Sequence, residues 1–170
     1  ADDLTFTDYR NFLSDNSYWP LIDSIKIKAE NKISFSDDHD ELINYFKDQK
    51  PLTGWGKIYY GNSLLKKGND ALAELLIKEG YISGSFTRNE QKIIISKFKN
   101  FLTQEDHKKR INQLLWNGKY GTARSLVKYV EKDYQKLFEA RIGLISFSGG
   151  VDQLISNVPV SYTHLLAHET

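Results

Sequence analysis

The residues best suited to proton transfer stand together at Asp106-His107-x-x-Arg110. An imidazole beside a carboxylate and a guanidinium is a workable acid/base set. His107, however, falls on the apolar stripe of its own segment, which predicts a packed, hydrogen-bonded histidine. Glu105 or Asp106 with Arg110 has the spacing of an ion pair within one helix, an interaction of about 0.2–0.5 kcal/mol. Pro51-Leu52-Thr53-Gly54-Trp55-Gly56-Lys57 offers two glycines and a lysine, but a phosphate loop needs four residues between its first Gly and Gly-Lys-Ser/Thr, after a strand. A packed turn is the better reading. Arg124 and Arg141 could clamp a peptide carboxylate or tie neighbouring helices together, and the structural role is favoured. His39, His107, His164 and His168 lack metal-ligand spacing, so no metal site and no cofactor is expected.

Aromatic residues are the other chemical resource, with ten Tyr, nine Phe and three Trp. Carbohydrate-binding surfaces stack sugars on aromatic faces, and Trp19, Trp55, Tyr59, Tyr60, Tyr81 and Trp116 are candidates for such a platform. Stripe aromatics such as Phe46, Phe98 and Phe138 read as core, because thin layers of helices need large side chains between them. Packing is the simpler account of each single candidate.

The elements that position these residues are helical. From Leu102 to Leu144 apolar residues recur at helical spacing in three runs: His107, Ile111, Leu114 and Leu115; Ala123, Leu126, Val127 and Val130; Leu137, Phe138, Ile142 and Ile145. Asn117-Gly118 joins the first two, with Gly118 suited to the left-handed conformation that closes a helix and Ala123 suited to close backbone approach. The pattern also occurs upstream: Leu64, Leu65, Gly68, Ala73, Leu76 and Ile77 each precede their counterparts by 50 positions (118 minus 68). Repetition of this kind suits stacked helix hairpins.

In chain order, Thr7 can cap a first helix bearing Tyr9, Phe12 and Leu13. Pro20 suits the first turn of a second, carrying Ile22, Ile25 and Ala29. Ser36-Asp37-Asp38 starts a third around Leu42, Ile43 and Phe46, and Lys50-Pro51 stops it. A fourth follows the glycine turn, and a fifth runs from Asn69-Asp70 to Gly80. Thr87-x-x-Glu90 is a capping box before Ile94, Phe98, Phe101 and Leu102, and Thr103 to Asp106 is an acidic cap for the seventh. Ile93-Ile94-Ile95 is rich in β-formers but lies inside a capped helical stretch.

Composition sets independent limits. Of 170 residues, 40% are hydrophobic and 26% charged, as in a folded domain. With 23 basic and 22 acidic side chains, a net charge of +1 supplies no global attraction to nucleic acid. There is no cysteine, which removes disulfides and thiolate metal sites. There is no methionine either, as expected of a mature form or a fragment, and no apolar run approaches the length of a membrane span.

Leu102-Thr103-x-Glu105-Asp106-His107-x-x-Arg110-x-x-x-Leu114-Leu115-Trp116, then Ala123-Arg124 and Ala140-Arg141-Ile142-x-Leu144, resembles the superhelical, non-catalytic region of soluble lytic murein transglycosylases. Tyr18-Trp19-Pro20-Leu21, Glu30, Lys50-Pro51-Leu52-Thr53-Gly54-x-Gly56, Leu64 to Ile77 and Gly150-Val151-Asp152-x-Leu154-Ile155-x-x-Val158-Pro159 fit the same family in the same order. The resemblance spans residues 6 to 159. Gly80-Tyr81-Ile82 departs from it, standing where the family carries an aromatic, often Trp.

The resemblance implies an all-α, right-handed superhelix of stacked helix hairpins, about nine or ten helices over 1–159, from a periplasmic enzyme. Such enzymes cleave the bond between N-acetylmuramic acid and N-acetylglucosamine in peptidoglycan to a 1,6-anhydro product. Their acid/base glutamate lies in a Glu-Ser-x-Phe motif of a lysozyme-like domain. None of the nine glutamates here precedes serine, so no catalytic residue is assigned. The expected partners are peptidoglycan glycan strands and the enzyme's own catalytic domain, with Trp19, Trp55, Trp116 and Arg124 as substrate-binding candidates. The competing expectation is a tetratricopeptide-like scaffold for protein partners. Residues 160–170 resemble translated adaptor read-through, so that segment is expected to lie outside the native fold.

Overall fold

The computed structural model describes residues 4–147 and 149–165, and every element among them is helical. The chain divides between Ser85 and Phe86 into two compact units.

The first unit opens with α1 (Phe6–Asp15), which is capped by Thr5 and not by Thr7. The reason is Asp8: its N–H donates to Thr5 Oγ1 at 3.2 Å while its carboxylate accepts the Thr5 amide at 2.8 Å. This is a capping box with Asp in the position usually held by Glu or Gln. The Thr5 hydroxyl and amide together hold the Asp8 carboxyl below its usual range. Next, α2 (Ile22–Glu30) begins after Pro20, because Leu21 enters the left-handed region at φ 61°. That conformation costs a non-glycine residue about 1–2 kcal/mol. Asp38 caps α3 (His39–Lys47) by accepting the Glu41 N–H at 2.9 Å. The core between these helices is Phe6, Tyr9, Ala29, Ile33, Leu42, Tyr45 and Phe46. Ile43, expected inside, is half-buried, and Tyr45 is buried in its stead.

The unit is completed by a hairpin of α4 (Gly54–Lys66) and α5 (Asp70–Ser83). A Cβ at Gly61 would lie 2.8 Å from Ile77 and 3.0 Å from the Ala73 carbonyl, and one at Gly80 would lie 2.7 Å from the Gly54 carbonyl. Gly80 therefore does not end its helix as its type suggested. It is a point of backbone contact inside a helix that continues three residues further.

The second unit contains α6 (Arg88–Lys97), α7 (Gln104–Trp116), α8 (Tyr120–Arg124), a 3-10 turn at Val127–Tyr129, α9 (Lys132–Ile145), α10 (Val151–Ser156) and a 3-10 turn at Val160–Leu165. Both anticipated caps form: Thr87 with Glu90 before α6, and Thr103 with Asp106 before α7. The β-branched run at Ile93 is helical because that cap sets the helix before the run begins. Gly143 lets α10 approach α9, since a Cβ there would meet Leu154 at 2.9 Å and Val151 at 3.3 Å. Leu137, Ala140 and Val158 form a core at this end, with Tyr162 and Leu165 packed against it. The ordered helical chain thus continues past Pro159, with the Tyr162 ring edge-on to Tyr134 at 5.0 Å. Residues 166–170 of the expected foreign tail lie outside the described residues.

The 50-residue repeat holds at its turn. Gly68 and Gly118 both take positive φ, 79° and 69°. In the first copy Asn69 N–H donates to Leu64 O at 3.0 Å and Gly68 N–H to Leu65 O at 3.1 Å. In the second, Lys119 N–H donates to Leu114 O at 2.8 Å and Gly118 N–H to Leu115 O at 3.0 Å. Both are Schellman closures. Beyond the turn the copies part, because α8 stops at Arg124 instead of running on to Val130. The same offset puts Ile111 and Val130 where the first copy has Gly61 and Gly80. Branched side chains there replace the glycine contacts of the first hairpin.

Candidate functional site

The most site-like surface of the first unit is built from a buried carboxylate outward. Glu30, the last residue of α2, is 1% exposed. Its Oε1 accepts the Leu52 N–H at 2.8 Å, and its Oε2 accepts the Thr53 N–H at 2.7 Å and the Thr53 hydroxyl at 2.6 Å. The Thr53 oxygen in turn accepts the Gly56 N–H at 2.8 Å. A Cβ at Gly56 would fall 2.2 Å from Glu30 Oε2, so only glycine admits the carboxylate. The negative charge lies at the positive end of α4 and receives charge-assisted bonds. The turn that looked like a phosphate loop is thus packed, its amides serving an anion of the protein's own.

This arrangement fixes Trp55 on the first turn of α4. Trp55 stacks on Tyr59 one turn on, at 5.1 Å and 16°, and Phe35 meets both rings edge-on at 6.0 and 4.9 Å. Trp55 lines a cleft of about 440 Å³ together with Asn31, Thr53, Lys57, Ser83 and Ser85. An aromatic ring, an amide, hydroxyls and an ammonium are the groups that hold a sugar: stacking for its apolar face, donors and acceptors for its hydroxyls. Lys57 is steadied by Glu79 at 3.2 Å.

The other candidates are elsewhere. Trp19 occupies the α1–α2 turn, 51% exposed and edge-on to Phe12 at 5.5 Å, and does not line the Trp55 cleft. Tyr60 packs on Phe46 at 5.1 Å, and Tyr81 is fully buried, which removes it from any platform. In the second unit Trp116 ends α7 with 88% of its surface exposed. Arg124 pairs with Glu139 at 3.4 Å, a tie between α8 and α9. Arg141 donates to Asn112 and lies over Phe138 at 5.7 Å, so it too braces helices. Arg124 also lines a cleft of about 300 Å³ with Arg88, Lys92 and Lys128. Those three cations were overlooked in the sequence; their signal is like charge at i, i+4, twice. Glu30 entered the sequence reading only as part of a family pattern, because nothing local marks a helix-end glutamate as buried.

The acid/base cluster is a packing device. Asp106 accepts the Thr103 amide at 2.9 Å and hydroxyl at 2.8 Å as part of the α7 cap. His107 is buried and stacks on Tyr129 at 5.0 Å. Burial pushes its pKa below the ordinary value, against the opposing pull of Asp106. Arg110, 1% exposed, donates from Nε to Gln91 Oε1 at 3.3 Å and lies over Phe86 at 5.2 Å. Among the described residues no group of three His, Cys, Asp or Glu side chains is placed to hold a metal ion, and no helix is long and apolar enough to cross a membrane.

Compared with family models, with characterised proteins and with solved structures, the chain finds no match in any of the three.

Proposed function

We propose that this chain is a non-catalytic superhelical segment of a periplasmic peptidoglycan lytic transglycosylase, and that it positions glycan strands for a catalytic domain it does not itself contain. The observation that carries the reading is the Trp55 cleft, where a braced aromatic ring stands beside Asn31, Thr53 and two serines. The Schellman turn repeated at Gly68 and Gly118 supports the superhelical part, since recurrence of one helix-closing turn at a fixed interval is what a repeat architecture requires. Co-sedimentation of the chain with purified sacculi tests it. Binding is expected, and Trp55→Ala should weaken it by about tenfold, the loss of one stacked ring plus its burial. Binding unchanged by Trp55→Ala would remove the site, and 1,6-anhydro muropeptides released by the chain alone would remove the non-catalytic assignment.

A second reading, a tetratricopeptide-like scaffold, draws on a different surface. A groove of about 610 Å³ on α3–α5 carries Leu72, Leu75 and Leu76 with Lys47, Lys50 and Glu79 at its rim. Apolar anchors ringed by charge suit a helical peptide. A protein partner retained by the Trp55→Ala variant and lost on Leu75→Asp would favour it.

A further inference from the structure

We propose that the cleft between α6 and α8 binds the end of a short peptide through its carboxylates. Four cations line it: Arg88 and Lys92, one turn apart on α6, and Arg124 and Lys128, at the same spacing across the end of α8. Among the described residues no carboxylate pairs with Arg88, Lys92 or Lys128, and Glu139 offsets only Arg124. Arg88 and Lys92, like charges at i, i+4 on α6, repel, and Arg88 at the first position of α6 opposes the helix dipole. Stability alone would select against the pair on α6, whereas Arg124 in the last turn of α8 has Glu139 as its partner, and such a local cost is common where a surface serves a ligand.

The shape of the cleft narrows the ligand. Its floor is Ile95 and Leu126, both buried. Apolar floor and cationic rim fit a molecule that carries aliphatic carbon next to carboxylate. The nearest helix N-terminus offers no nest for phosphate, because the Thr87–Glu90 capping box already engages it. Gly121 sets one wall: a Cβ there would lie 2.6 Å from Arg88 Nη2, so the bare glycine lets the guanidinium lie against α8. Two arginines offer the planar donors that carboxylates accept in pairs.

The site is independent of the Trp55 cleft, and the two stand or fall separately. The test titrates the full chain with acetyl-Ala-Glu-Ala bearing a free C-terminus, and with its uncharged counterpart acetyl-Ala-Gln-Ala amide, with inorganic phosphate as competitor. Saturable binding of the diacid is expected, with the diamide at least about tenfold weaker and Arg88→Gln or Arg124→Gln each lowering affinity about tenfold. Lys109→Gln, the same charge change elsewhere on the unit, should leave affinity unchanged. Gly121→Ala displaces the Arg88 head without altering charge and should weaken binding several-fold, a readout that general attraction would not move. Absence of saturable binding by a chain with native helical circular dichroism would overturn the proposal. So would equal losses in the Lys109→Gln and Arg124→Gln variants, or phosphate binding as tight as the diacid.

Discussion

At Glu30 a single carboxylate serves three donors, and removing it leaves the Leu52 and Thr53 amides and the Thr53 hydroxyl without that acceptor. The three bonds are part-buried and the acceptor is the buried Glu30 side chain, so Glu30→Ala should destabilise the fold by about 2 kcal/mol. Gly56→Ala should cost about as much by driving the carboxylate out. Urea unfolding of the two variants tests this, and a loss below about 0.5 kcal/mol in either would refute it. His107 makes a separate prediction. Its folded pKa lies below its ordinary value of 6.5, so the unfolded chain takes up the proton first as pH falls. The stability it supports is complete above that value and declines as pH drops below it. Thermal midpoints from pH 8 to 5 should therefore fall more steeply in the native chain than in His107→Leu; parallel curves would show that His107 is not the titrating group. Its burial was legible from its place on an apolar stripe. The role of Glu30 was not, because its partners lie 22 and 23 residues away.

At the scale of elements, glycine has two different jobs that type alone does not separate. Gly68 and Gly118 need positive φ, and around Gly68 the space is open, so the cost of a side chain is conformational: about 1 kcal/mol for Gly68→Ala. Gly80 has ordinary helical backbone but no room, since its neighbour at 2.7 Å is the Gly54 carbonyl. Gly80→Ala should therefore cost about 2 kcal/mol or more despite the better helix propensity of alanine. Denaturant midpoints should rank Gly80→Ala below Gly68→Ala, and the reverse order would mean the hairpin can open at little cost. This explains which boundaries were readable. Cap-first helices such as α6 and α7 announce themselves through Thr87 and Thr103, whereas α5 runs through Gly80 to Ser83 and α8 stops at Arg124 with no Gly or Pro there to mark its end. Leu21 belongs with the unreadable ones, because its left-handed turn displaces the start of α2 that Pro20 advertised.

For the molecule as a whole, the division at Ser85 separates two sets of buried residues. Phe6, Leu42 and Phe46 belong to one, and Leu137, Ala140 and Val158 to the other. Expressed separately, Ala1–Ser85 and Phe86–Thr170 should each give helical circular dichroism and a cooperative melt. A non-cooperative melt in either piece would show that its core is completed by the other. The all-α class was open to a reader of the sequence through its 3.6-residue stripes. The gathering of Arg88, Lys92, Arg124 and Lys128 was not, because it depends on α8 ending where it does and on Gly121 accepting a guanidinium.

The Glu30, Thr53 and Gly56 triplet has a use outside this molecule. Any chain that inherits it must keep all three together, because glycine is needed only while the carboxylate is present and threonine bridges the two. Distant kin should therefore betray themselves by correlated substitution: an acid at a helix end, then Thr-x-x-Gly after about the same interval, gained or lost as a set. Such a covariation signature can survive drift that erases overall similarity, and it offers a filter for finding kin of this chain.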